Sequence, residues 1–323
     1  MILGTGLAVP ARVVTNRELA RRFAVTDDWI VARTGIRARR TVEGSTLATS
    51  DLALEAARAA LASAGVCASD LDHVVVATTS PDHPMPSVAC LVQAALGARR
   101  AAAFDLNAAC SGFVYGLGVT DGLLASGAAR LVLLIGADAL SRHVDGTDRN
   151  TSILFGDGAG AVLLGRGSGL LAVHLGSDGT AAGDLLIPAG GTRRPIDGDA
   201  LAERAHTIHM NGREVFRAAV NTMADALRRA LEAADLPPTA LRWVFPHQAN
   251  ARILRAVAER IGLPLEAFWS HVERYGNTGA ASIPIALAEA AAAGALRAGD
   301  VIGLTAAGAG LTWGAAVLRW GPA

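Results

Sequence analysis

The sequence predicts an α/β fold of two like halves packed as one body, and three observations carry that reading. Helix-period and strand-period segments alternate along the chain. The strand segments are continuous apolar runs, as expected of sheets covered on both faces. The second half also echoes the first at a fixed distance. In order, residues 51–64 (DLALEAARAALASA) space their apolar side chains as a helix, and 72–77 supply the strand run HVVVA. Residues 111–128 read as an apolar, small-residue helix, followed by the strand LVLLIGA at 131–137. Strands alternating with helices predict mostly parallel sheets.

The echo is specific. Leu71–Val76 (LDHVVV) lies opposite Leu241–Pro246 (LRWVFP), Asn107–Gly112 opposite Asn277–Ser282, and the strand at Leu131 opposite that at Val301, each 170 positions apart. GDGAGAVLLG (156–165) resembles TWGAAVLRWG (312–321) at a shift of 156. An alanine-rich α/β chain produces some echo by composition alone, but four matched segments in one order favour duplication. The halves are expected at 1–168 and 169–323. Ligands in such folds collect where strand ends and helix starts meet.

Composition excludes several functions. The 323 residues carry 29 basic and 29 acidic side chains, a net charge of zero that argues against a nucleic-acid binder. Every basic residue is Arg; without Lys there is no Schiff-base chemistry and no P-loop lysine. Mean hydropathy is +0.35, yet no apolar run is long enough to span a membrane. The opening MILGTGLAVPARVV does not read as a secretory signal. Three Cys without CxxC spacing form neither a disulfide framework nor a zinc site, and fit a reducing, cytoplasmic setting.

Cys110 follows AAAFDLNAA and opens a small-residue helix. At a helix N-terminus the unpaired amides favour a thiolate and lower the thiol pKa, so Cys110 reads as a nucleophile or as a packed core thiol. Cys67 and Cys90 lack that setting and read as structural. His247 closes the strand RWVF within PHQAN, whereas His206, His209 and His271 read as ordinary half-buried histidines. A metal site at HTIH is not expected. Asn277, in RYGNTGAAS, can donate its amide to a carbonyl oxygen or cap the next helix, and the two are compatible. GAGLTWG (308–314) reads as a backbone oxyanion site or as a tight turn between strands. GTG at 4–6 and GDGAG at 156–160 do not make a dinucleotide fingerprint.

Cys110, His247 and Asn277, with WIVARTGIRAR (29–39), DLNAACSGFVYGL (105–117), FGDGAGAVLL (155–164), PHQAN (246–250), RYGNTGAASIP (274–284) and GAGLTWGAA (308–316), resemble the β-ketoacyl-ACP synthase III family of the thiolase superfamily. The resemblance spans the chain in family order. It implies a thiolase-like five-layered αβαβα fold and a two-stage condensation without metal or redox cofactor. Cys110 would take an acyl group from acyl-CoA. His247 and Asn277 would then stabilise the enolate formed from malonyl-ACP as CO₂ leaves. The backbone N–H groups of Cys110 and Ala309 would hold the oxyanion, a donor of this kind contributing about 3 kcal/mol to the barrier. Trp29, Arg33 and Arg149 match CoA-binding positions, and Arg252 a carrier-protein docking position. The family is a homodimer whose loop reaches into the partner's acyl pocket.

Four positions depart from the family pattern. Met85 stands before Pro86 in the partner-facing loop where a bulky ring is common, and Ala307 stands where a Phe usually packs over the catalytic groups. Arg213 replaces a smaller polar residue at the tunnel mouth, and Val25 a Thr near the CoA base. Met85 and Ala307 should reshape the acyl pocket and favour a primer other than acetyl, longer or branched. Two other readings stay open: acyl transfer from Cys110 to a hydroxyl or amine with His247 as general base, and an inactive scaffold.

Overall fold

The computed structural model describes residues 1–321; the last two positions of the expected second half, 322 and 323, lie outside the described residues. The chain opens on β1 (Ile2–Ala8), which buries every second side chain. A small ribbon of β2 (Val13–Thr15) and β3 (Ala38–Arg40) frames two short helices, α1 (Asn16–Phe23) and α2 (Asp27–Thr34). Their N-caps are Thr15 and Thr26, whose hydroxyls accept the N–H groups of Glu18 and Trp29. The first half continues through α3 (Thr49–Ala64), β4 (His73–Ala77), α4 (Val88–Leu96), β5 (Ala102–Leu106), α5 (Gly112–Ala125), β6 (Leu131–Ala139), α6 (Arg149–Ser152) and β7 (Asp157–Gly165).

The second half begins at β8 (Leu170–Ser177) and passes an excursion of β9 (Leu185–Leu186), α7 (Gly198–Ala202) and β10 (His209–Met210). It then runs α8 (Gly212–Ala233), β11 (Trp243–Pro246), α9 (Ala251–Ile261), α10 (Val272–Tyr275), α11 (Ser282–Ala292), β12 (Val301–Gly308) and β13 (Thr312–Arg319). The duplication is visible in the element starts. β4 and β11 begin at 73 and 243, α5 and α11 at 112 and 282, β6 and β12 at 131 and 301, each 170 apart.

The sheets are mixed, which narrows the expectation of mostly parallel strands. In the five-stranded sheet β1-β7-β6-β4-β5, β4 runs parallel to β5 and β6, but β7 is antiparallel to β6 and β1. In the four-stranded sheet β11-β12-β13-β8, only β11 and β12 are parallel. The cause is connection length. Parallel neighbours need a helical crossover, supplied by α4, α5 and the α9–α11 segment. β12 and β13 are joined by residues 309–311 alone, and so short a turn can only reverse the chain.

Five layers follow from how the strands divide their side chains. Val74 and Val76 face α3, with Leu52, Ala56 and Ala60, whereas Val75 faces the middle of the molecule. There α5 (Phe113, Val114, Leu117) and α11 (Ile283, Ala286, Leu287) lie between the sheets and meet Phe245, Ile302 and Leu304 of the second. The outer face of that sheet is covered by α8 and α9 through Met223, Leu227, Ile253 and Val257. Burying each Leu, Ile, Val or Phe fully stabilises by roughly 1.5–3 kcal/mol. The first turns of α5 and most of α11 are buried on every side, between the two sheets, and are correspondingly apolar.

This layer is packed so closely that a Cβ at Gly136 of β6 would collide with the Ala280 carbonyl oxygen. Gly136→Ala should therefore destabilise the fold by about 1–3 kcal/mol. Gly122, exposed within α5 with open space around its missing Cβ, provides the contrast. There Gly122→Ala should stabilise by up to about 1 kcal/mol. Urea unfolding midpoints shifting in opposite directions check both; a shared direction would contradict this packing.

Candidate active site

Cys110 sits in a 3-10 turn, Ala109–Ser111, that leads directly into α5. The turn is held from both sides of the molecule. Asn107 Oδ1 accepts the Ala109 N–H at 3.1 Å, Ser111 Oγ donates to the Thr312 carbonyl at 3.1 Å, and Thr312 Oγ1 donates to the Ala108 carbonyl at 2.8 Å. The β12–β13 hairpin is thereby pinned onto the cysteine turn. A Cβ on Gly308 would lie 2.6 Å from the Cys110 amide nitrogen, so only glycine permits this approach.

His247 follows β11, its N–H donating to the Thr305 carbonyl at 2.8 Å, and its side chain is buried. The next residue organises the loop around it. Fully buried Gln248 donates through Nε2 to the carbonyls of Pro246 and Trp269, and its Oε1 accepts the N–H groups of His271 and Val272 at 3.1 Å. Asn277 pairs with residues 154–156 through its backbone: its N–H donates to Leu154 at 2.9 Å, and its carbonyl accepts from Gly156 at 2.9 Å. Its Oδ1 accepts the Gly279 N–H at 3.0 Å, which commits the oxygen to the turn and leaves the amide NH₂ to donate. Capping and donation are thus compatible here.

These residues line one cavity of about 690 Å³ between the halves. Its wall includes Trp29, Arg33, Cys110, Arg149, His247, Arg252, Asn277, Ala307 and Ala309. At one end the guanidinium groups of Arg33 and Arg149 lie 4.1 and 4.7 Å from the centre of the Trp29 ring. Arg252 lies 5.4 Å from the Phe216 ring, and Arg213 also borders the opening. Val25 and Trp29 pack against the same small core of Val14, Leu19, Ile30 and Ile153.

Met85 is 83 % exposed on a proline-rich loop, outside this chain's own cavity wall. Two expectations are corrected. Cys67 and Cys90 are exposed rather than packed. The Cys110 thiol is not acidified but pushed up to about 12, because burial and the nearby Asp138 carboxylate both oppose a thiolate. The residue as a whole is half-buried and lines the cavity, but the thiol is enclosed closely enough that desolvation outweighs the amides of the turn. Burial, with His271 nearby, likewise pushes the His247 imidazole down to about 4.

Sequence reasoning missed Asp138, Gln248 and the apolar wall of Leu185, Met210 and Phe216. Asp138 had one signal, a lone acid at the end of the apolar strand LVLLIGADA. It is fully buried. Its Oδ1 accepts from Thr78, Thr79 and Ser80, and its Oδ2 accepts the Ala280 N–H at 2.8 Å.

Residues 104–179 match the family model for 3-oxoacyl-[acyl-carrier-protein] synthase III, and residues 231–320 match the model for its C-terminal part. The β-ketoacyl-[acyl-carrier-protein] synthase III of Roseiflexus sp. (strain RS-1) is 50% identical over 98% of this chain and 97% of its own. Among solved structures, 3-oxoacyl-(acyl carrier protein) synthase III from Pseudomonas aeruginosa PAO1 is similar with a TM-score of 0.92 and 44% identity, covering 99% of this chain and 98% of that one. The priming β-ketosynthase of the R1128 polyketide pathway has a TM-score of 0.91 and 34% identity, covering 98% and 95%. With a full-length relative at half identity and both family models in place around Cys110, His247 and Asn277, the chain belongs to the β-ketoacyl-ACP synthase III family.

Proposed function

We propose that the protein condenses an acyl group from acyl-CoA with malonyl-ACP, the priming step of fatty-acid synthesis. The observation that supports it most is the convergence of Cys110, His247 and Asn277 on one cavity whose far end carries the Trp29–Arg33–Arg149 stack. Indole and guanidinium faces suit an adenine ring, and guanidinium forks suit phosphates. Cys110 Sγ attacks the thioester carbonyl, and the Cys110 and Ala309 N–H groups hold the oxyanion. The C–S bond to CoA then breaks, CoA leaves as the thiol with the proton given up by Cys110, and the acyl group remains on sulfur.

Malonyl-ACP then loses CO₂. The electron pair of the broken C–C bond moves into an enolate whose oxygen accepts hydrogen bonds from the His247 imidazole N–H and the Asn277 amide. The enolate carbon attacks the acyl carbonyl, the C–S bond to Cys110 breaks, and the departing thiolate takes one proton from solvent, which balances the carboxylate charge lost with CO₂. A neutral imidazole suits a donor that takes no proton from the thiol at rest. Arg252 and Arg213 at the opening suit an acidic carrier protein. Ala307, small where a ring usually packs, and the apolar side chains of Leu185, Met210 and Phe216 in the same wall support the expectation of an acyl group longer than acetyl. Both proposed substrates suit an enzyme of the cytoplasm.

Intact-protein mass spectrometry with a panel of acyl-CoAs, followed by malonyl-ACP, tests this reading. An adduct on Cys110 should appear, should favour a longer or branched donor, and should leave as β-ketoacyl-ACP with CO₂. Cys110→Ala should form no adduct, and Asn277→Ala should acylate but condense about a hundredfold more slowly. An adduct that survives malonyl-ACP would instead point to acyl transfer, and acetyl-CoA as best donor would remove the primer preference.

The protonation states carry a second expectation. The thiol keeps its proton up to about pH 12, and the imidazole stays neutral down to about pH 4. Iodoacetamide labelling of Cys110, followed on its own peptide, should rise about tenfold per pH unit from pH 7 to 9 without a plateau. Condensation should show no acid-side transition near pH 6.5 from His247, whose imidazole stays neutral down to about pH 4. A labelling plateau below pH 8 would mean a resting thiolate.

We also propose halves at 1–168 and 169–323, and a homodimer through β5. That strand ends its sheet with one edge unpaired, beside the exposed Met85 loop. Sedimentation should give about twice the 33.0 kDa chain mass; a monomer at micromolar concentration would refute the dimer.

A further inference from the structure

Arg39 does not line the active-site cavity, yet it joins that cavity's two ends. The residue is 2 % exposed on β3. Burial lowers its pKa to about 10, with Asp27 as the charge that opposes this. One arm of the guanidinium, Nη1, donates to Asn16 Oδ1 at 2.7 Å, and the other, Nη2, donates to the Ile153 carbonyl. A cation in so dry a place is held by such bonds or not at all.

Each arm leads to one end of the site. Asn16, itself 1 % exposed, donates through Nδ2 to Asp27 Oδ1 and to the Ile36 carbonyl, both at 2.7 Å. Asp27 begins α2 and Ile36 follows its end, so Asn16 grips both termini of the helix that carries Trp29 and Arg33. On the other side, Ile153 precedes Leu154, whose carbonyl accepts the Asn277 N–H. The backbone on both sides of Asn277 is packed against the same side chain. A Cβ on Gly156 or Gly276 would lie 3.1 or 3.3 Å from Arg39 Cβ. A parallel strut runs from the Arg37 N–H to the Glu273 carbonyl at 2.9 Å.

We propose that Arg39 is a positioning residue that ties the nucleotide-facing helix α2 to the backbone carrying Asn277, so that one buried guanidinium sets the geometry of both half-reactions. The proposal rests on the roles given above to Trp29, Arg33 and Asn277. Lys cannot replace Arg here, because one ammonium on a flexible stem cannot hold Asn16 and Ile153 at once.

The experiment measures the KM for acyl-CoA in the acylation step and, separately, the condensation rate of pre-acylated enzyme per acylated site. Arg39→Lys should raise the first about tenfold and lower the second about tenfold to a hundredfold, although the residue touches neither substrate. Asn16→Ser, which keeps the guanidinium and its bond to Ile153, should raise the KM more than it slows condensation. It also carries the test if Arg39→Lys does not fold. Paired variants complete it. Added to Trp29→Ala, Arg39→Lys should raise the KM less than it does alone, and added to Asn277→Ala it should slow condensation little further.

Variants with lowered thermal stability but wild-type KM and wild-type condensation per acylated site would overturn the proposal and leave Arg39 as core packing. Fully additive penalties in the paired variants would overturn it equally. A wild-type chain that accepts no acyl group would overturn the underlying reading, and the proposal with it; that control is scored before any variant.

Discussion

One carboxylate holds the seam between the two halves. Asp138 ends β6 in the first half, and through Oδ2 it accepts the Ala280 N–H of the second. On its other oxygen it gathers the hydroxyls of Thr78, Thr79 and Ser80 and the Thr79 N–H. No Lys exists in this chain to neutralise it, and its partners are all neutral donors. Burial therefore outweighs the donors, and the acid's pKa is raised rather than lowered. Hydrogen bonds to a charged group contribute about 1.5–3 kcal/mol each, so the cluster stabilises only while it is complete. Its position fixes the Gly279–Ala281 turn immediately after Asn277, and its charge lies near enough to Cys110 to oppose a thiolate.

That arrangement sets the electrostatic character of the cavity. A raised thiol and a depressed imidazole leave the resting site without an ion pair between cysteine and histidine. In the proposed mechanism the donors are in place before any negative charge develops: backbone amides at the cysteine turn, an amide NH₂ at Asn277, an imidazole N–H. Such a site favours charge that appears on a substrate oxygen over charge held permanently on the protein. It also gives the buried thiol little tendency to react in the absence of a thioester. The exposed arginines lie at the mouth and at the Trp29 end, where solvent supports their charge.

Much of this was legible in the residues because the chemistry-bearing side chains stand at element junctions in an otherwise apolar, alanine-rich sequence. Cys110 precedes α5, His247 follows β11, and Asn277 precedes α11, each where periodicity changes. The 170-residue spacing was visible because strand and helix starts recur with their small residues. The rest depended on through-space neighbours. Cys110 stands at a helix start that promises an acidic thiol, but Asp138 approaches it from β6 and no local motif announces that. Arg39 reads as one of several arginines in RTGIRARR, and only the fold brings it against Gly156, Gly276 and Ile153. The antiparallel strands β7 and β13 were hidden because a fully buried run has the same pattern in either direction.

The duplication itself explains why one cavity can serve two kinds of step. Asn107 and Asn277 occupy equivalent places, and each uses Oδ1 to hold the N–H two residues on, at 3.1 and 3.0 Å. The same turn is thus built twice, once on each side of the seam. In the first copy the asparagine is exposed and shapes the turn, and the position that follows by three is Cys110, the proposed nucleophile. In the second copy that position is Ala280, whose N–H is given to Asp138. A nucleophile there would face a buried carboxylate; an alanine closes the seam instead. The second asparagine, now buried, is free to turn its NH₂ to the cavity. Attack on a thioester and stabilisation of an enolate need different groups a short distance apart, and two copies of one turn, differing at Cys110 and Ala280, supply that separation.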